Sequence, residues 1–154
     1  MLIGTACALL LGAVFYGVMA YQLAGSETAA GTRTAQADGA MLTLEGAQLL
    51  SEQTQTERHG GQDCTVLMRR YQLEDGRQAE VITAQPAAYV ERLSEEHWTA
   101  QLKTGFVLAG LDAVYAVRGE DAMLCARDGD TIYALVTQAD EQTLYALGAS
   151  AGLE

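Results

Sequence analysis

Hydrophobic and polar positions are distributed very unevenly along this chain. The first stretch, LIGTACALLLGAVFYGVMAYQLA (Leu2–Ala24), is apolar on every side, and Thr5 and Gln22 are its only clearly polar members. A helix of that length spans roughly 34 Å, against about 30 Å of bilayer hydrocarbon. A single segment in lipid must satisfy its own backbone hydrogen bonds, and a helix does so. Gly25–Ala40 follows with Gly, Ala, Ser and Thr and no apolar periodicity, which predicts a flexible tether. The folded domain is therefore expected over residues 41–154, after an anchor at 1–24 and a linker at 25–40.

Within the domain, Thr43–Gln53 reads as a short helix with Thr43 as a candidate N-cap, although Gly46 weakens it. The polar run Thr54–Asp63, containing His59-Gly60-Gly61, reads as a loop. The pattern then sharpens. Cys64–Leu73 and Arg77–Ala84 are strand-like and meet at Glu74-Asp75-Gly76, where Asp-Gly is a strong hairpin signal. Pro86 suits the first turn of a helix over Ala87–Glu96, whose apolar face comprises Tyr89, Val90, Leu93 and His97. Trp98 and Leu102 fall off that face, and a short strand is expected at Phe106–Leu108.

Three more strands follow, Leu111–Arg118, Ala122–Arg127 and Thr131–Thr137, separated by Gly119-Glu120-Asp121 and Asp128-Gly129-Asp130. In the last of them Ile132, Ala134 and Val136 alternate with Tyr133 and Leu135, so both of its faces are expected to be buried. Thr137 is a candidate cap for a final helix, with Asp140 in the capping-box position and Leu144, Leu147 and Ala151 as the apolar stripe. Strands joined by tight turns, with helices set apart, predict an α+β fold. Its antiparallel sheet would have about five strands, a hairpin plus a three-stranded meander, covered on one face by two to three helices.

Charge narrows the partners. All 20 acidic and 9 basic residues follow Ser26, so the net charge of −11 belongs to the part beyond the apolar segment. Nucleic-acid affinity comes mainly from Lys and Arg neutralising phosphates, and anionic lipid also requires a basic patch. Both are excluded as principal partners of the acidic domain, and the membrane is expected to be engaged through residues 2–24 alone. The rival reading of that segment is a signal peptide cleaved after Ala20; its length and the lack of a preceding basic residue favour an anchor. Orientation has little positive charge to rest on, because only Arg33 lies near either end.

Candidate chemistry is sparse. Cys64 and Cys125 form the only cysteine pair after the anchor, and a pair suits an oxidising compartment. They are the candidate disulfide, with two unrelated buried thiols as the alternative, and an extracytoplasmic domain is the expectation. Tyr71, Tyr115 and Tyr133, set among small residues, are candidate linings of a ligand groove, against the alternative of core edges. His97 fits a core position and His59 an exposed loop, while Asp128-Gly129-Asp130 is explained by a turn. No catalytic, cofactor or metal-binding constellation is expected. The serines stand in neither GxSxG nor SxxK, and no oxygen ligands recur at calcium-loop spacing.

The segment LAGLDAVYAVRGEDAMLCARDGDTIYALVTQADEQTLYAL resembles extracytoplasmic domains on single-pass membrane proteins of Gram-positive bacteria. There, a charged turn "DGDTIYAL" leads into a last strand and a helix opened by "ADEQTL". The resemblance covers the C-terminal half. Some such proteins are anti-sigma factors or envelope regulators, and others are lipoproteins of unknown role. A sigma-holding domain before the membrane segment is not seen in these residues, so that activity is not expected to carry over. The resemblance implies a non-enzymatic, membrane-anchored envelope module for interaction or sensing. Its alternatives are a structural subunit of a membrane or envelope assembly, and a secreted ligand-binding domain if the N-terminus is cleaved.

Overall fold

The computed structural model describes residues 40–154, a mostly-β antiparallel domain. The anchor and nearly all of the linker expected at 1–24 and 25–40 lie outside the described residues. Ten strands and two short helices follow one another: β1 (Leu42–Leu44), β2 (Gln48–His59), β3 (Gln62–Gln72), β4 (Gln78–Gln85), a 3-10 turn (Ala87–Tyr89) continuing into α1 (Val90–Glu95), β5 (Thr99–Gln101), β6 (Val107–Leu108), β7 (Leu111–Arg118), β8 (Asp121–Asp128), β9 (Thr131–Thr137), α2 (Glu141–Ser150) and β10 (Ala151–Leu153).

One sheet of eight strands carries the domain, in the order β2-β3-β4-β9-β8-β7-β5, with β6 also pairing β7. β1 and β10 form a separate two-stranded sheet. The predicted hairpin and the predicted meander are both present, and they join through β4 and β9. The sheet is larger than the five strands expected because β2, β5 and β6 join it, and Thr43–Gln53, where β2 begins, is not a helix. It comprises most of β1, a turn at Gly46 (φ +76°) and the start of β2. The loop expected at Thr54–Asp63 is the rest of β2 and the turn into β3. Gly60 and Gly61, both at positive φ, form the two-residue connection between the paired His59 and Gln62.

The sheet is also covered on both faces, not on one. On the α1 face, Cys64, Val66, Ile82, Ala84, Val114, Met123, Cys125 and Ile132 pack against Tyr89, Val90, Leu93 and Trp98. On the α2 face, Tyr71, Val81, Tyr115, Leu124, Tyr133 and Leu135 pack against Leu144, Phe106, Leu108 and the β1–β10 pair. In β9, Ile132 to Leu135 are all buried, as the alternation predicts. The central strands thus send successive side chains into two separate cores. A fully buried Leu stabilises such a core by about 1.5–3 kcal/mol.

Each helix is fixed by a local device. The 3-10 turn opens at Pro86, and the carboxylate of Asp130 accepts the Ala87 N–H at 3.0 Å, tying the β8–β9 turn to it. α2 is capped by Asp140, which accepts the Thr143 N–H at 2.8 Å. The predicted cap, Thr137, is instead buried in β9, where its hydroxyl donates to the Gln78 carbonyl. α2 packs closely through Gly148, whose carbonyl accepts the Ala109 N–H at 3.0 Å. Ala151, placed in the helix stripe by the sequence, begins β10.

Candidate interaction surface

β2 ends the sheet path on one side, and eleven of its twelve residues are paired, all of them with β3 alone. Gln48 to Thr54 are all exposed, on both faces of the strand. Leu49 and Leu50 contribute two of the large exposed apolar side chains of the described residues. The opposite border of the sheet differs, because β5 and β6 have only three and two residues. Short border strands limit edge-to-edge pairing, whereas a long one offers a row of backbone N–H and C=O groups to another strand. β2 has one protective irregularity, a register shift between Leu49 and Ser51, and is regular from Ser51 to His59. No Lys or Pro stands in it.

Charge along the first hairpin is balanced. β2 and β3 carry Glu52, Glu57 and Asp63 against Arg58, Arg69 and Arg70, so the net −11 of the chain resides elsewhere. Glu52 and Arg69 are cross-strand partners at 2.7 Å, and Arg58 meets Asp63 at 3.5 Å with both side chains largely exposed. The long open edge is therefore also the neutral border of an acidic domain.

The α1-face side of β2 is held by a chain of ionic groups. His59 lies 2.9 Å from Glu57, and Arg92 links Glu57 (3.6 Å) to Glu96. Arg118 continues the chain from Glu96 (3.2 Å) to Asp121 (3.3 Å). The His59 ring packs edge-on against Tyr89. The hairpin tip is seated on α1, since a Cβ at Gly60 would lie 2.8 Å from the Glu91 carboxylate. These contacts anchor the His59 end of the strand and leave its outer edge open among the described residues.

On the α2 face, a groove of about 310 Å³ runs beside β2, lined by Thr54, Thr65, Thr83, Thr131, Gln85 and Tyr133 and bordered by Ala40 and Met41. Threonine hydroxyls, the Gln85 amide and the Glu52 carboxylate are set there in a surface that is mostly apolar, with Leu67 among its lining. The Tyr133 hydroxyl donates to the Ala40 carbonyl at 3.4 Å, and Thr83 accepts the Leu42 N–H at 3.2 Å. The chain therefore enters the domain on this face.

The sequence-derived site residues fall in different places. Cys64 and Cys125 are fully buried free thiols, so the expected disulfide is not formed. Both face the α1 core, but β4 and β9 lie between their strands. Three inter-strand spacings amount to about 14 Å, beyond the roughly 7 Å that a disulfide bridges between Cα atoms. Burial pushes the Cys64 thiol up and raises that of Cys125 to about 12. Tyr71, Tyr115 and Tyr133 are all buried in the α2-face core, and of the three only Tyr133 borders the groove. Tyr115 stacks on Phe106 at 5.0 Å between centroids.

His97 lies beyond the end of α1 at φ +61° and is exposed, so it is not a member of the helix's apolar face. Trp98, placed off that face, is buried with it. Among the described residues, no group of three His, Cys, Asp or Glu gathers where a metal could bind, and no helix is long and apolar enough to cross a membrane. Every buried side-chain nitrogen and oxygen among them has a hydrogen-bond partner. Comparisons of the chain with protein-family models, with curated proteins and with solved structures return no match. β2 itself gave little sign in the sequence beyond the β-branched Thr54 and Thr56 and the Gly-Gly that closes its hairpin.

Proposed function

We propose that this chain is a membrane-anchored, extracytoplasmic interaction module without enzymatic activity, which docks a partner strand along β2. The open, regular, charge-balanced edge of β2 carries the reading. Strand addition supplies affinity through main-chain hydrogen bonds, with selectivity from side chains on alternate positions. The apolar Leu2–Ala24 supports the membrane anchor, and the likeness of the C-terminal half to envelope domains supports the outward placement. Two sealed, unpaired thiols are compatible with an oxidising compartment, because neither reaches the other nor the solvent.

Hydrogen exchange on the full chain, compared between native membranes and detergent solution, tests the docking role. Amides of Gln48–His59 are expected to gain protection in membranes, and unchanged exchange there overturns it. Placement is tested by a Leu102→Cys variant, since Leu102 is 78% exposed. A membrane-impermeant maleimide is expected to label it on intact cells. Labelling only after lysis overturns the extracytoplasmic assignment.

A further inference from the structure

We infer that the strand docking on β2 is β2 of a second copy, paired antiparallel about a two-fold axis through Gln55. The inference rests on the reading of β2 as the docking edge and names its occupant.

A two-fold axis perpendicular to the sheet keeps each face continuous across the junction, so facing residues must share a face. On β2, Glu52 and Arg58 lie on the α2 face, because their partners Arg69 and Asp63 alternate with the α1-facing Cys64 and Val66. Residues on one face differ by even numbers, so a symmetric junction must centre on a residue. Centring on Gln55 sets Glu52 opposite Arg58, and symmetry repeats the pair on the other side. Gln53 then faces Glu57 as an amide against a carboxylate, Thr54 faces Thr56, and Ser51 faces His59.

Neighbouring registers lack this match. Centring on Glu52, Glu57 or Arg58 brings like charges together, and centring on Gln53, Thr54 or Thr56 leaves Glu52 and Arg58 without each other. Cross-strand charge pairs stabilise a sheet and like pairs weaken it, so charge selects one register. The balance of the first hairpin also spares the junction the repulsion that the rest of an acidic surface would impose.

The same axis gives a second, independent agreement. Ala40 enters on the α2 face, where the Tyr133 hydroxyl holds its carbonyl. Because the axis preserves faces, the segments preceding Ala40 leave both copies from one side of the joined sheet. Two copies anchored in one membrane can therefore pair without either tether crossing the sheet. Confinement to that membrane raises the effective concentration of one edge for the other.

The test uses the full chain in phosphatidylcholine vesicles, with Cys7→Ala to remove the remaining thiol outside the domain. Gln55→Cys is expected to crosslink to itself under mild oxidation, whereas Ser51→Cys, about 27 Å from its symmetry mate in this register, is not. Arg58→Glu is expected to weaken dimerisation about tenfold, and Glu52→Arg with Arg58→Glu to restore it. Equal crosslinking of both cysteine variants overturns the register. A monomer without crosslinks, whose β2 amides are nevertheless protected in native membranes, overturns self-pairing and leaves β2 docked to a different strand. A monomer whose β2 amides are unprotected overturns both readings.

Discussion

The Arg118 guanidinium lies over the face of the Trp98 indole, 4.4 Å from the ring centroid, and both groups bond the same carboxylate. Glu96 accepts from Trp98 Nε1 at 3.3 Å and from Arg118 Nη1 at 3.2 Å. Trp98 immediately precedes β5 and Arg118 ends β7, so this triangle fastens the short border strand β5 to its neighbour and to the end of α1.

Removing the indole is therefore expected to cost more than removing the planar guanidinium that stacks on it. Trp98 is 3% exposed, and Trp98→Ala is expected to lower stability by about 3–5 kcal/mol. Arg118→Lys keeps the charge but loses the planar stack, at about 0.5–1 kcal/mol. Urea unfolding of the two variants checks the order. An Arg118→Lys loss equal to that of Trp98→Ala would show that the guanidinium, not the buried ring, holds β5.

Gly148 is buried in α2, where alanine is ordinarily the better helix former by about 1 kcal/mol. Here an added Cβ would run into the Val107 carbonyl and lie 2.5 Å from Leu124 Cδ1. Gly148→Ala is expected to destabilise the domain by about 2 kcal/mol, because overpacking exceeds the propensity gain. A thermal melt that rises with the substitution would show that α2 does not seat on β6 through this residue.

The buried thiols set a pH limit on the alkaline side. Cys64, Cys125 and Tyr133 are all raised by burial, as is Tyr89. Groups raised on folding contribute stability that is intact below their unfolded values and declines as pH climbs toward the folded ones. Stability is thus expected to fall from about pH 9, where unfolded thiols ionise, toward 12. Ellman's reagent is expected to leave Cys64 and Cys125 untouched in the native domain and to modify both in urea, with or without prior reductant. Rapid native reaction, or a requirement for reductant, contradicts the two buried free thiols.

The legible parts of the sequence were those whose burial is imprinted on residue order. Ile132 to Val136 alternate between two cores, Asp75-Gly76 turns a hairpin, and Pro86 opens a helical turn, so each of these elements falls close to its expected place. β2 was illegible for the converse reason. This border strand is exposed on both faces from Gln48 to Thr54, and the side chains half-buried beyond that, Gln55, Glu57 and His59, are polar, so Gln48–His59 carries no apolar alternation and reads as helix, then loop. The neighbouring β1 did carry a period-two signal, with Leu42 and Leu44 buried about Thr43, but three residues are too few to outweigh a plausible N-cap.

Side-chain chemistry misled where residue type implied a role that topology alone decides. Two cysteines suggested a bond, yet two intervening strands hold them apart. Tyrosines beside small residues suggested a groove, yet Tyr71 and Tyr115 sit in the α2-face core and of the three Tyr133 alone borders a groove. The proposed surface depends on backbone groups, which every residue possesses and no composition reveals.

The pairing of β1 with β10 bears on the order in which the domain is made. Leu42 lies opposite Leu153 and Leu44 opposite Ala151, while Met41 and Glu154 exchange backbone hydrogen bonds. Of the described strands, the first to emerge from a ribosome thus waits for the last, more than a hundred residues behind it. Until then Leu42 and Leu44 have no strand partner, and the α2-face core stays open along that side. Completion of this domain therefore waits for β10, and a nascent chain halted before Ala151 would expose its apolar α2 face to whatever receives it.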